Sequence, residues 1–151
     1  MRIYLPASLD QLGTSAGPLA ARRVHAVTPA LRALFPDEDD EGLEFAAQLA
    51  AADDSLELLA TRPDAPQLRL VVSADVPDAV LQPLTDEEDV PSAVELVAEV
   101  EQSDVICVHV DEPGASADVV RAAHGDEDAV DRLDERDLLW YDATELGSIP
   151  R

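Results

Sequence analysis

Lysine and asparagine are absent from this 151-residue chain, which has one cysteine, six glycines and only 3% aromatic residues. Without lysine, neither a Walker-type phosphate loop nor Schiff-base chemistry is available. The glycines fall in no G-x-G-x-x-G pattern, and no serine sits in a G-x-S-x-G elbow. Cys107 alone makes neither an internal disulfide nor a cysteine-based zinc site. No apolar run approaches the roughly 18 residues that a membrane span needs. Residues 1–6 hold one basic side chain and no apolar stretch long enough for a secretion signal, so the cytoplasm is the expected location.

Acid is abundant. There are 33 Asp+Glu against 10 Lys+Arg, all of them arginine, for a formal net charge of -23. Phosphate recognition needs clustered cations, so this balance argues against nucleic acid, and repulsion argues against anionic membrane surfaces. Positive partners and divalent cations fit the charge. The two missing residue types have AT-rich codons and point to GC-rich coding; the acid excess also fits a saline cytoplasm. A hydrophobic content of 46% is too high for a disordered chain, and the length suits one domain.

Local signals divide the chain into short elements. Residues 2–5 alternate polar and apolar, as a strand does. Ser8 and Gln11 have the spacing of a capping box, and Gly13 and Gly17 end the short helix it starts. Residues 22–27 read as a second strand. Thr28 and Pro29 mark a helix start, a hydroxyl cap followed by proline where no N–H is needed, and Pro36 stops that helix. The longest helix is expected over residues 40–61, with Leu43, Ala46, Ala47, Ala50, Leu56 and Leu59 on one stripe. Residues 67–73 have strand chemistry and 76–81 suggest a helical turn or two.

Residues 94–101 alternate like a half-buried strand, and 105–110 are a nearly continuous apolar run, as in a central strand. The turn at 102–104 is expected to join these two as a hairpin. Helical segments follow over 115–123 and 126–133, then a strand over 137–141 and a short helix capped by Asp142 and Glu145. Hairpin and crossover signals are mixed. The expectation is one α+β domain spanning residues 1–151, with a single mixed sheet of five or six strands, helices mainly on one face, and acidic loops near 37–41 and 82–91.

Few residues offer chemistry. Asp37, Asp39, Glu41 and Gly42 imitate the start of a calcium loop. The twelfth position is Gln48 and the eighth Glu44, so the bidentate ligand is missing and the run reads as a solvated helix entry. A third reading makes this run and residues 86–89 a loose divalent-cation buffer. His25, His109 and His124 form no pair with zinc spacing. His109 and Asp111 stand two apart on one strand and should share a face, which fits an acid/base pair or a structurally satisfied imidazole. His25 lies at a strand end before a helix start, where ligands commonly sit. Cys107 should share the His109 face but belongs to an apolar strand, where thiols pack rather than react. Trp140 and Tyr141 point to opposite faces of the last strand; one is expected to fill the core and the other to line a groove or interface.

Four segments carry a resemblance: Met-Arg-Ile-Tyr-Leu-Pro-Ala at residues 1–7, His-Ala-Val-Thr-Pro-Ala-Leu-Arg at 25–32, Val-Ile-Cys-Val-His-Val-Asp at 105–111, and Leu-Leu-Trp-Tyr-Asp at 138–142 followed by Glu145 and Leu146. In this order the chain resembles a family of small uncharacterised actinobacterial proteins known only as a domain of unknown function. The resemblance spans nearly the whole chain and implies a single-domain cytoplasmic protein from a GC-rich bacterium. It brings no activity, ligand or catalytic residue.

No catalytic constellation is complete, no metal site forms and no cofactor is implied. The sequence therefore points to a non-catalytic protein-interaction or regulatory domain, acting on a protein partner or as a homodimer. The alternative is a small-molecule-binding protein or hydrolase-like enzyme using His25, His109 and Asp111, with Trp140 or Tyr141 lining its pocket.

Overall fold

The computed structural model describes residues 1–84 and 90–151. Its strands are β1 Arg2–Ala7, β2 Arg22–His25, β3 Leu70–Asp75, β4 Leu81–Pro83, β5 Ala93–Leu96, β6 Val105–Val110 and β7 Leu139–Asp142. They form one seven-stranded sheet in the order β4-β5-β2-β1-β3-β6-β7. The α-helices are α1 Pro29–Leu34, α2 Asp40–Ala60, α3 Ser116–Ala123 and α4 Glu127–Asp134. The domain is thus α+β.

The sheet corrects the sequence expectation in three ways. The strand beyond the expected five or six is β4, which is short and ends in Pro83. Proline gives no ladder N–H, so this segment is legible as a strand only once it is known to be an edge. The sheet is not mixed: every pairing of the named strands is antiparallel. The crossover through α1 and α2 does make β2 and β3 parallel to one another. However, β1 lies between them and runs antiparallel to both, so the two never become neighbours.

The hairpin is also absent. The turn forms as a 3-10 turn at Gln102–Asp104, but it links strands in opposite halves of the sheet. β5 pairs with β2 and β4, whereas β6 pairs with β3 and β7. Alternation reports which side is buried and not which strand lies alongside. Past Leu96 the chain leaves the ladder, and Val100 makes an isolated bridge to Leu19. The acidic segment expected within 82–91 opens in β4, and its centre, residues 86–89, lies outside the described residues.

The two faces of the sheet are covered differently. One face carries Ile3, Leu5, Leu70, Val72 and Val108, packed against Leu9, Leu12, Leu19 and Ile149 from loops and 3-10 turns. No α-helical residue belongs to that cluster. The opposite face presents Tyr4 and Val71 to Leu43, Ala47, Ala51 and Ala52 of α2. Small side chains let the helix lie close to the strands, and leave room for polar groups between the two layers.

α2 forms for local reasons. The Asp39 carboxylate accepts the Gly42 N–H at 2.9 Å, and Asp40 and Glu41 complement the helix dipole. Its buried row is Leu43, Ala47, Ala51, Ser55 and Leu59, a spacing of four. Ser55 donates to the Ala7 carbonyl at 2.8 Å and accepts from the Leu70 N–H at 3.0 Å, tying the helix to the paired ends of β1 and β3. Phe45 and Leu49 stand off this row and are exposed.

Candidate functional site

Strand alternation puts Arg23 and His25 of β2 on the face that α2 covers. His25 is 0% exposed. Its Nε2 lies 2.6 Å from Asp54 Oδ2, and its Nδ1 lies 2.7 Å from the Ser92 hydroxyl. A carboxylate only accepts, so Nε2 carries the proton it shares with Asp54, while the Ser92 hydroxyl serves Nδ1 in either ring state. Arg23 Nε also reaches Asp54, at 3.2 Å. Both nitrogens of this imidazole are occupied by the protein itself.

Asp111, just past β6, is equally enclosed. Its carboxylate receives Arg69 Nε at 2.8 Å, Arg69 Nη2 at 2.8 Å and the Arg69 N–H at 2.9 Å. Both side chains are buried, and Arg69 Nη2 also reaches the Leu133 carbonyl at the end of α4. Removing one partner from such a pair costs about 3–5 kcal/mol, because the other charge is left buried alone. Asp111 thus anchors Arg69, and the two form no hydrogen bond with His109.

His109 is different. It is half-buried, its Nδ1 is out of contact with solvent, and that atom has no hydrogen-bond partner among the described residues. Burial lowers its pKa below the ordinary 6.5. The ring forms part of the floor shared by two adjoining depressions between α2 and the β6–β7 end of the sheet. The first, about 510 Å³, is bounded by Phe45, Leu49, Asp53, Arg69 and Asp134. The second, about 600 Å³, is bounded by Tyr4, Glu44, Phe45, Cys107 and Trp140. Phe45, Gln48 and His109 line both, so the depressions form one groove.

The groove is rich in unpaired acid. Glu41, Glu44, Asp53, Asp134 and Asp137 line it, and none of them forms an ion pair or side-chain hydrogen bond among the described residues. Asp53 stands on the rim, open to water yet flanked by enough protein that desolvation raises its pKa; the Asp134 charge adds to the rise and Arg69 opposes it. Burial, with the Glu44 charge, raises the Tyr4 phenol to about 12, so it stays protonated at neutral pH. The arginines are already engaged: Arg2 with Asp75, Arg69 with Asp111, and Arg136 with Glu112.

The sequence candidates therefore separate. His25 and His109 lie three strands apart, roughly 14 Å at ordinary strand spacing. Of His25, His109 and Asp111, His109 alone lines the groove. Cys107 is buried on the His109 face of β6 and reaches the same groove. Tyr141 packs against the core, and Trp140 lines the groove with 57% of its surface exposed. Asp39 serves as a helix cap and Asp40 pairs with Arg32; no cluster of three or more His, Cys, Asp or Glu side chains able to hold a metal occurs among the described residues.

Sequence reasoning passed over Phe45 and Leu49. The available signal was their place four apart on α2, away from its apolar row. A further apolar depression of about 890 Å³ lies between α1 and the β4 edge, bounded by Pro29, Leu34, Leu81, Pro83 and Val90. Its described lining includes no imidazole, thiol or aromatic ring.

No helix among the described residues is long and apolar enough to cross a membrane. Neither a curated protein nor a solved structure matches the chain. Residues 1–149 match the profile of DUF6912, described as a family of unknown function, and the chain belongs to that family.

Proposed function

We propose that this chain is a non-catalytic interaction domain whose partner docks in the groove beside β7. One observation carries the reading: Phe45, Leu49 and Trp140 are each about half exposed and meet around a single groove at the end of the sheet. Large apolar side chains gathered at one exposed place mark contact surfaces. The sealing of His25 by Asp54 and Ser92, and of Asp111 by Arg69, supports the same reading, since acid/base catalysis needs such groups free within reach of one reacting atom.

The test places a photo-crosslinking phenylalanine analogue at Phe45 and, separately, at Leu34 beside the opposite edge of the sheet, in cells that make the protein. A protein adduct formed from position 45 and absent from position 34 supports the reading. No adduct at 45, or the same adduct at both positions, overturns it.

A second reading rests on the half-buried ring of His109, which lines the groove. A small polar ligand would pack against the exposed part of that ring, with the aromatic walls excluding water. A thermal-shift screen of small polar compounds tests it: a stabilising compound should lose its effect in His109→Phe.

A further inference from the structure

We infer that the partner of this groove is a basic, extended peptide segment that adds as a strand to the outer edge of β7. This rests on the docking reading above and specifies its occupant.

Three features converge. First, β7 ends the sheet, and its outer edge has no strand alongside it among the described residues. A strand of this kind presents unpaired N–H and C=O groups to any extended chain. The opposite edge, β4, is three residues long and contains Pro83, which cannot donate. Second, Trp140 of β7 and Phe45 of α2 wall the groove next to that edge. A strand added beside β7 would lie about 4.8 Å away, and alternate side chains would fall on the groove side. Third, the groove presents Glu41, Glu44, Asp53, Asp134 and Asp137 without counter-ions among the described residues, while the arginines that reach it are held by Asp75, Asp111 and Glu112.

Charge complementarity selects the occupant. Guanidinium groups fit both the open carboxylates and the faces of Phe45 and Trp140. A second copy of the chain brings a net charge of -23 and the same acidic rim, so like charges would meet across a β7–β7 pairing.

Trp140 is the sole tryptophan, so intrinsic fluorescence reads this groove directly. The experiment titrates the whole protein with a peptide of alternating arginine and valine, and with glutamate/valine and threonine/valine peptides of the same length. The expected result is a shift in Trp140 emission with the arginine peptide, weakened by salt, together with slowed amide exchange at residues 139–142. N-methylation of alternate residues should abolish the shift, and a shift that persists would overturn strand addition.

Asp53→Asn with Asp134→Asn should weaken the arginine peptide about tenfold. Asp64→Asn with Asp104→Asn, two exposed positions off the groove, makes the same net change and should leave affinity within about twofold. Equal losses in the two pairs would reduce the attraction to overall charge and overturn the inference. An equal shift with the threonine peptide would overturn the basic partner while the docking reading stands. No Trp140 shift with any peptide removes strand addition, and the crosslinking result at Phe45 then decides the docking reading alone. Concentration-dependent dimerisation that protects 139–142 without peptide makes a second copy the occupant and overturns the inference.

Discussion

His25 and His109 face the same side of one sheet and are treated in opposite ways. His25 is sealed, with Asp54 on one nitrogen and Ser92 on the other. His109 is half-buried, and its Nδ1 has no partner among the described residues. α2 makes the same division at adjacent residues. Successive helical positions point about 100° apart, so Asp54 turns to His25 while Asp53 turns to the groove. A polar group completed by its own chain is architecture. One left without a partner beneath the floor of a groove, out of reach of solvent, is a cost that the fold carries there.

The largest effect should come from breaking the sealed side. His25→Ala empties the buried space of the ring and takes the partner from the buried Ser92 hydroxyl, while Asp54 keeps Arg23. Urea denaturation should show a loss of roughly 2–4 kcal/mol, combining a cavity with an unsatisfied polar group. A loss below about 0.5 kcal/mol, the range of an unremarkable surface change, would show that the network is not structural.

The open side should respond with the other sign. His109→Phe keeps a ring of similar shape and removes the unpartnered Nδ1, so stability should be unchanged or raised by about 1 kcal/mol at most. Burial lowers the pKa of His109, so the folded protein binds this proton less readily than the unfolded chain. Its contribution is fully present above the unfolded pKa near 6.5 and is lost as pH falls from there toward the lower folded pKa. The advantage of the variant should therefore be greater at pH 5 than at pH 8. Equal effects at both pH values would mean that the ring has found a partner in solution.

Much of this contrast was hidden in the sequence. Capping signals were legible because they act within one turn: Ser8 with Gln11, Thr28 with Pro29, and Asp142 with Glu145 all start the elements expected of them. The apolar run at 105–110 coincides with β6. Strand neighbours were not legible, because alternation reports a face and β1 intervenes where a parallel pair was implied. The sealed sites were hidden for the same reason: Ser92 reaches His25 across 67 residues, and Arg69 reaches Asp111 across 42. His109 and Asp111 share a strand end, as their spacing indicated. What decides their roles is that Arg69 from the adjoining β3 end claims the carboxylate, a fact of register rather than of local pattern.

The smallest effect sharpens the comparison at its closest point, between neighbouring carboxylates of α2. Asp54 has partners; Asp53 has only like charges in Asp134, Asp54 and Glu57, opposed by Arg69. Desolvation and these charges raise the Asp53 pKa above the ordinary 3.8. For an acid raised in the folded state, ionisation opposes folding. The penalty is fully present above the folded pKa, shrinks as pH falls through it, and is gone below the unfolded value near 3.8. Asp53→Asn should therefore raise Tm at pH 7 by about 1–2 °C, and the gain should vanish below that unfolded value. Asp54→Asn, one residue on, should lower Tm at pH 7, because its charge serves His25 and Arg23. Opposite signs at consecutive positions would set the line between the completed and the incomplete half of this face. Equal signs would erase it.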